Sequence, residues 1–141
     1  MNRKRTAGTI KTPAVPLDQR HLKFSLEYLQ PHHPKFHITG CCDAFFAALI
    51  NEVVRYQTFT VDAFTDASPA DHRHFIYFPE TKEPNGFQGI DPSRDEELWT
   101  DSAWQFALPG KIEGSHLWRV YGFIDGEHFY IVWLDPFHAL D

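Results

Sequence analysis

The stretch LWRVYGFIDGEHFYIVWL, residues 117–134, constrains the chain more than any other. Two runs of β-branched and aromatic residues flank Asp125-Gly126, a pair suited to a two-residue hairpin turn with positive φ at both positions. That turn sets a register in which Ile124 faces Glu127, Phe123 faces His128, Tyr121 faces Tyr130 and Arg119 faces Val132. Successive side chains on a strand point to opposite faces. One face then holds Trp118, Val120, Gly122, Ile124, Phe129, Ile131 and Trp133. It is almost wholly apolar and is expected to lie against a helix, with Gly122 leaving room for the ring of Phe129. The other face holds Leu117, Arg119, Tyr121, Phe123, His128, Tyr130, Val132 and Leu134.

The rest of the chain supplies partners for the hairpin. HLKFSLEYLQ, residues 21–30, alternates Leu22, Phe24, Leu26 and Tyr28 with polar residues, the pattern of a strand with one buried face. Pro31 and Pro34 end it. From Asp43 to Tyr56, Phe45, Phe46, Leu49, Ile50, Val53 and Val54 give an amphipathic helix facing a core. Thr39 is placed to cap it, and Thr60 to cap a short second helix from Val61 to about Ala67. HFIYF, residues 74–78, and the alternation of Trp104, Phe106 and Leu108 are further strands, the second closed by Pro109-Gly110. Residues 79–101 form a long loop with a turn of helix near Leu98-Trp99. A loop of that length is uncommon without a task or internal structure. The expected fold is α+β: a strand, two helices, then a three- to four-stranded, mostly antiparallel sheet with the helices on one face. Residues 17–141 make one domain, preceded by a flexible basic tail over 1–16.

Charge limits the partners. The formal net charge is −6, and Arg3, Lys4, Arg5 and Lys11 all fall in the first eleven residues. The other nine bases face all 19 acids, a charge of −10 on the body, which repels phosphate backbones at long range. A nucleic-acid role therefore has to rest on a local basic site or on the tail. No apolar run is long enough to span a bilayer, and no apolar segment of a signal peptide follows the basic start. Cys41 and Cys42 are adjacent and form no disulfide framework. These features describe a soluble protein of a reducing compartment, the cytoplasm.

The mixed hairpin face has two readings. Arg119 and the tyrosines are either sheet residues covered by loop 79–101, stabilised as cross-strand pairs, or an aromatic–arginine platform that stacks bases and holds a phosphate oxygen. The last strand runs into Leu134-Asp135-Pro136-Phe137-His138. Proline stops pairing, so His138 falls just past the strand end, near Arg119, where an imidazole can act as general acid or base.

Other clusters carry weaker chemistry. His32, His33, His37, Cys41 and Cys42 lie within eleven residues, and both residue types ligate zinc, but their spacing matches no common closed site. Asp71-His72-Arg73-His74 can bring two histidines to a sheet edge. His116 sits in the turn before the hairpin. No Walker loop, G-x-S-x-G or G-x-G-x-x-G is present.

LKFSLEYL, the helix in DAFFAALINEVVRY and the terminal WRVYGFIDGEHFYIVWLDPFH follow one another as strand, helices and closing hairpin. This order resembles the RelE/ParE superfamily of bacterial toxins. PLDQRHLKFSLEYL, EPNGF and RVYGFIDGEHFYIVWLDPFH also resemble segments of a group of short bacterial proteins. The toxin resemblance implies a RelE-like α+β domain of a toxin–antitoxin system, with an antitoxin partner and RNA cleavage without metal or cofactor. It implies Arg119 as the sheet arginine, Tyr130 as a catalytic sheet tyrosine and His138 as the C-terminal catalytic position. Tyr121, His128 and His116 would line the substrate. The acidic body departs from the basic surface usual in ribosome-dependent members. It suits the alternative, a non-enzymatic immunity, regulatory or phage-defence factor that binds a basic partner.

Overall fold

The computed structural model describes residues 15–111 and 117–141. The expected basic tail lies outside the described residues up to position 14. The elements run β1 (Lys23–Ser25), α1 (Asp43–Tyr56), α2 (Val61–Phe64), β2 (His74–Phe75), α3 (Asp95–Asp101), β3 (Ala103–Lys111), β4 (Leu117–Asp125) and β5 (His128–Asp135). The five strands form one open sheet in the order β1-β5-β4-β3-β2. Successive strands β2–β3, β3–β4 and β4–β5 pair antiparallel, while β1 pairs parallel with β5. The α+β class holds, with a mixed five-stranded sheet.

The hairpin turn falls one residue later than its sequence suggests. Asp125 pairs with His128, so Gly126 and Glu127 form the loop, and only Gly126 takes positive φ, 66°. Glycine at the first loop position is the type II′ arrangement rather than type I′. Arg20 and Lys23 hold Glu127 through ion pairs of 3.1 and 3.0 Å, tying the turn to β1. Further along, Gly122 pairs with Ile131 but Tyr121 pairs with Trp133. Val132 is thus an extra residue, a β-bulge. The bulge reverses the faces of everything after it. Leu134 packs in the α1-side core with Trp118, Val120, Phe129 and Ile131, while Trp133 packs on the opposite face. The expected places of Trp133 and Leu134 are exchanged.

Two cores result. On one side, Phe45, Leu49 and Tyr56 of α1 and Phe64 of α2 pack on Phe106, Leu108 and the apolar hairpin face. On the other, Ile76, Phe78, Phe87 and Leu98 of the 76–99 segment cover Tyr121, Phe123, Val132 and Trp133, together with Phe36 and Leu140. Helices therefore lie on both faces, since α3 contributes Leu98 to the second core. The mixed hairpin face is a second core rather than an open platform.

Some local expectations differ in detail. Thr60 caps α2 through Ala63 N–H at 3.0 Å. Thr39 caps nothing in α1: it lies in a 3₁₀ turn, and Cys42 occupies the cap position without a side-chain bond. The chain leaves β1 after Ser25, so Leu26 is exposed and Tyr28 packs on Phe123 and Tyr130 instead. Arg73, buried just before β2, closes the C-terminal end of α2. Its guanidinium donates to the carbonyls of Phe64 at 2.8 Å and Asp66 at 2.9 Å. It also pairs with Asp71 at 2.8 Å and lies over the rings of Tyr56, Phe59 and Phe64. Arg73→Met leaves these acceptors unpaired, and is expected to cost about 3 kcal/mol in urea unfolding.

Candidate functional site at the corner of the sheet

The bulge at Val132 decides where the chemistry collects. Because it shifts the phase of β5, Asp135 turns to the same face as Tyr121, and Arg119 is its cross-strand partner. Asp135 is fully buried. Its Oδ2 accepts from Tyr121 Oη at 2.6 Å and from Ala139 N–H at 2.7 Å, and its Oδ1 from Phe137 N–H at 3.1 Å. One carboxylate thus fixes the whole turn after the strand. That turn sets His138 at φ 53°, with its Nε2 3.5 Å from the Asp141 carboxylate.

Tyr121 is a buried donor in this arrangement. Burial, then the charge and hydrogen bonding of Asp135, push its hydroxyl far above the ordinary tyrosine range. It stays protonated and holds Asp135 in place.

Arg119 lies just beneath the surface, 5% exposed. Its Nη1 reaches the Trp118 carbonyl at 3.5 Å, and its Nε is buried with no hydrogen-bond partner. Burial lowers its pKa, while the nearby Tyr121 hydroxyl and the carboxylates of Asp141 and Asp135 act the other way. The guanidinium stays charged because its ordinary pKa is so high. A buried cation with an unmet donor is costly unless something answers it.

His72 joins the corner from the segment before β2. Its carbonyl accepts from Gln105 Nε2 at 3.4 Å. Burial, followed by the positive charges of Arg119, His74 and His138, holds its imidazole below the ordinary range. Among the described residues only His72 (φ 48°) and His138 (φ 53°) combine a side chain with positive φ. Such backbone positions cost free energy and gather at functional sites. The corner therefore brings Arg119, His72 and His138 together with the carboxylates of Asp135 and Asp141, a site of mixed charge.

The expected site is divided by this geometry. Arg119, Tyr121 and His138 share the corner. Tyr130 and His128 lie at the other end of the hairpin, where Tyr130 stacks on Phe123 and His128 and packs at a tilt against Tyr28, at 5.1 to 5.6 Å between ring centres. Phe123, the pairing partner of Tyr130, is four residues from Arg119 on β4, roughly 13 Å along a strand. Tyr130 and Arg119 therefore do not meet at one phosphate, and Tyr130 is a packing ring. His116 lies outside the described residues. His72 was read from sequence only as part of a weak run at a sheet edge, not as a site residue, and the anchoring role of Asp135 was not read at all. The signals for them were the D-H-R-H run before a strand and the proline that follows Asp135.

The histidine–cysteine run is used otherwise. His33 Nδ1 accepts from the backbone N–H of Lys35 and Phe36, and His37 Nδ1 from Thr39 N–H. Among the described residues no three His, Cys, Asp or Glu side chains are grouped to hold a metal ion. Burial, with the nearby Cys42 and Asp135, pushes the Cys41 thiol up to about 11, whereas Cys42 is exposed. Alkylation of the folded protein at mildly basic pH is expected to label Cys42 and spare Cys41. Equal labelling, read by peptide mass, would contradict the burial of Cys41.

Among the described residues no helix is long and apolar enough to cross a membrane. No family model, curated protein or solved structure matches the chain.

Proposed function

We propose that the chain is a toxin-like, metal-independent endoribonuclease whose active corner is Arg119, His72 and His138. The observation that carries this reading is a buried arginine whose Nε has no hydrogen-bond partner, with His72, a histidine of positive φ, in electrostatic range of both Arg119 and His138. RNA cleavage by the neighbouring 2′-hydroxyl needs a base, an acid and a positive charge at the phosphorus. His72, held toward its neutral form, takes the 2′-hydroxyl proton as that oxygen attacks phosphorus. Arg119 stabilises the added negative charge from just below the surface, where the low dielectric strengthens its field. His138 gives a proton to the departing 5′-oxygen. The products are a 2′,3′-cyclic phosphate and a 5′-hydroxyl, with protons balanced between the two histidines. Incubation of the purified protein with RNA in a chelator, beside His138→Ala, His72→Ala and Arg119→Ala, tests the assignment.

A second reading, a non-enzymatic factor that binds a basic partner, is favoured by a different feature. Asp95, Glu96, Glu97 and Asp101 of α3 line a shallow groove of about 460 Å³. In that case the RNA stays intact and α3 charge reversals abolish partner capture.

A further inference from the structure

EPNGF, residues 83–87, takes no part in the corner. Its first four residues form one wall of a separate pocket of about 240 Å³, closed by Gln30, His33, Gln88 and Trp133. That volume falls below the roughly 300 to 1,000 Å³ of pockets for drug-sized ligands and suits a single ring system. The walls are fixed. Trp133 Nε1 donates to Gln30 Oε1 at 2.8 Å, and Gln30 Nε2 donates to the Gln88 carbonyl. Gly86 turns the chain at φ 66°, where a side chain would strike the Trp99 ring. Two polar groups of the pocket are left open. His33 Nδ1 accepts from the backbone N–H groups of Lys35 and Phe36, so the ring proton sits on Nε2. Burial holds this imidazole below its ordinary range, with Glu83 acting the other way and Lys35 adding to the effect. Glu83 Oε2 pairs with Lys35 at 2.6 Å. Among the described residues, His33 Nε2 and Glu83 Oε1 have no hydrogen-bond partner. The pocket thus offers one neutral N–H donor beside a charged carboxylate, which has about four acceptor sites in all.

We propose that this pocket binds a guanine base. Among the four bases of RNA, only guanine sets an acceptor, O6, beside two adjacent donors, N1–H and the N2 amino group, on its Watson–Crick edge. His33 Nε2–H meets O6, and the Glu83 carboxylate accepts from N1–H and N2–H. Adenine, cytosine and uracil place a single donor on that edge and leave the carboxylate half-met, which is the basis of rejection. Among the described residues no lysine or arginine lines the pocket, so it recognises a base rather than a phosphate. The corner is close by. Trp133 lies two residues before Asp135 on β5, roughly 7 Å along a strand. Phe36 stacks on Trp133 at 4.7 Å and meets Tyr121 edge-on at 5.8 Å. On the ribonuclease reading of the corner, on which only this source of the base rests, the guanine belongs to the RNA being cut.

Equilibrium dialysis of the full chain with guanosine, adenosine, cytidine and uridine tests this. None of the four carries a phosphate for the corner, so the pocket is read alone. Guanosine is expected to bind about ten-fold or more tighter than the other three. Glu83→Gln puts an amide where the carboxylate was, and should weaken guanosine binding by about ten- to a hundred-fold. His33→Phe keeps a ring against Trp133 and Phe36 but removes the donor to O6, and should weaken it as well. Both variants should keep the wild-type circular dichroism. A wild type that binds no guanosine, or binds all four nucleosides equally, overturns the proposal whether or not RNA is cut. So does guanosine binding unchanged in Glu83→Gln. Where guanosine binds as expected, mapping of RNA cleavage identifies the source of the base. Cuts beside guanine that disperse in Glu83→Gln place it in RNA. Intact RNA, or cuts without base preference, place it in a free guanine nucleotide, and intact RNA removes the ribonuclease reading alone.

Discussion

Gly122→Ala is expected to destabilise the protein by about 3 kcal/mol or more, the largest loss from adding a single carbon anywhere in the hairpin. A Cβ at this position would stand 2.1 Å from the Tyr130 carbonyl oxygen and 2.6 Å from the Phe129 ring. The first of these is backbone in the middle of the sheet, next to the bulge, and cannot swing aside as a flexible side chain would. The neighbours are fixed as well: Phe129 packs edge-on against Phe64 and Phe106. Relief therefore has to come from opening the β4–β5 pairing, which also carries Asp135 and the turn to His138. Thermal unfolding is expected to shift down by roughly 10 °C. Gly126 gives the contrast. It has φ 66° and nothing within 4 Å of its would-be Cβ. Gly126→Asn, which tolerates that conformation, is expected to cost under about 1 kcal/mol. Equal melting of Gly122→Ala and wild type would mean the bulge is not packed as described.

The second large effect concerns chemistry. His138→Ala and His72→Ala are each expected to slow RNA cleavage by about 10²- to 10⁴-fold. The double variant should be little slower than the worse single one, since acid and base act as a unit. The pH profile separates them. An imidazole held below its ordinary range stays neutral at lower pH, so the acid limb assigned to His72 lies below the ordinary imidazole value of about 6.5. That limb should vanish in His72→Ala. Asp135→Asn is a positioning test. It keeps the size of the side chain but weakens the acceptor of Tyr121 Oη and of two backbone N–H groups. Its cleavage should fall because the His138 turn loosens, while RNA affinity is kept.

Much of the fold was legible because it follows from alternation and period. The hairpin, α1, the Thr60 cap and the strand at Trp104–Leu108 are all written in side-chain spacing. The turn fell one residue off because Gly126 supplies the positive φ alone, and Glu127 needs none. The bulge at Val132 left no trace in composition: an extra residue in one strand is defined only by its pairing. With it went the exchange of Trp133 and Leu134 and the inward turn of Asp135. In α1 the apolar residues span more of the helix than one sheet face can cover, so Phe46, Ile50 and Val54 were assigned to a core they do not enter. Arg119 and His138 were found at the corner because both lie in the hairpin and its end. His72 belongs to it through tertiary structure alone, arriving from an edge segment 47 positions before Arg119. Tyr130 was separated from Arg119 because sharing a face on one hairpin does not place residues at one end of it.

The most direct test of the ribonuclease assignment is end-group analysis of RNA incubated with the purified protein in the presence of a chelator. The account predicts cleavage that leaves 2′,3′-cyclic phosphate and 5′-hydroxyl ends, lost in His138→Ala and Arg119→Ala variants that keep the wild-type circular dichroism. RNA left intact by the wild type, or cut equally well by both variants, would contradict it.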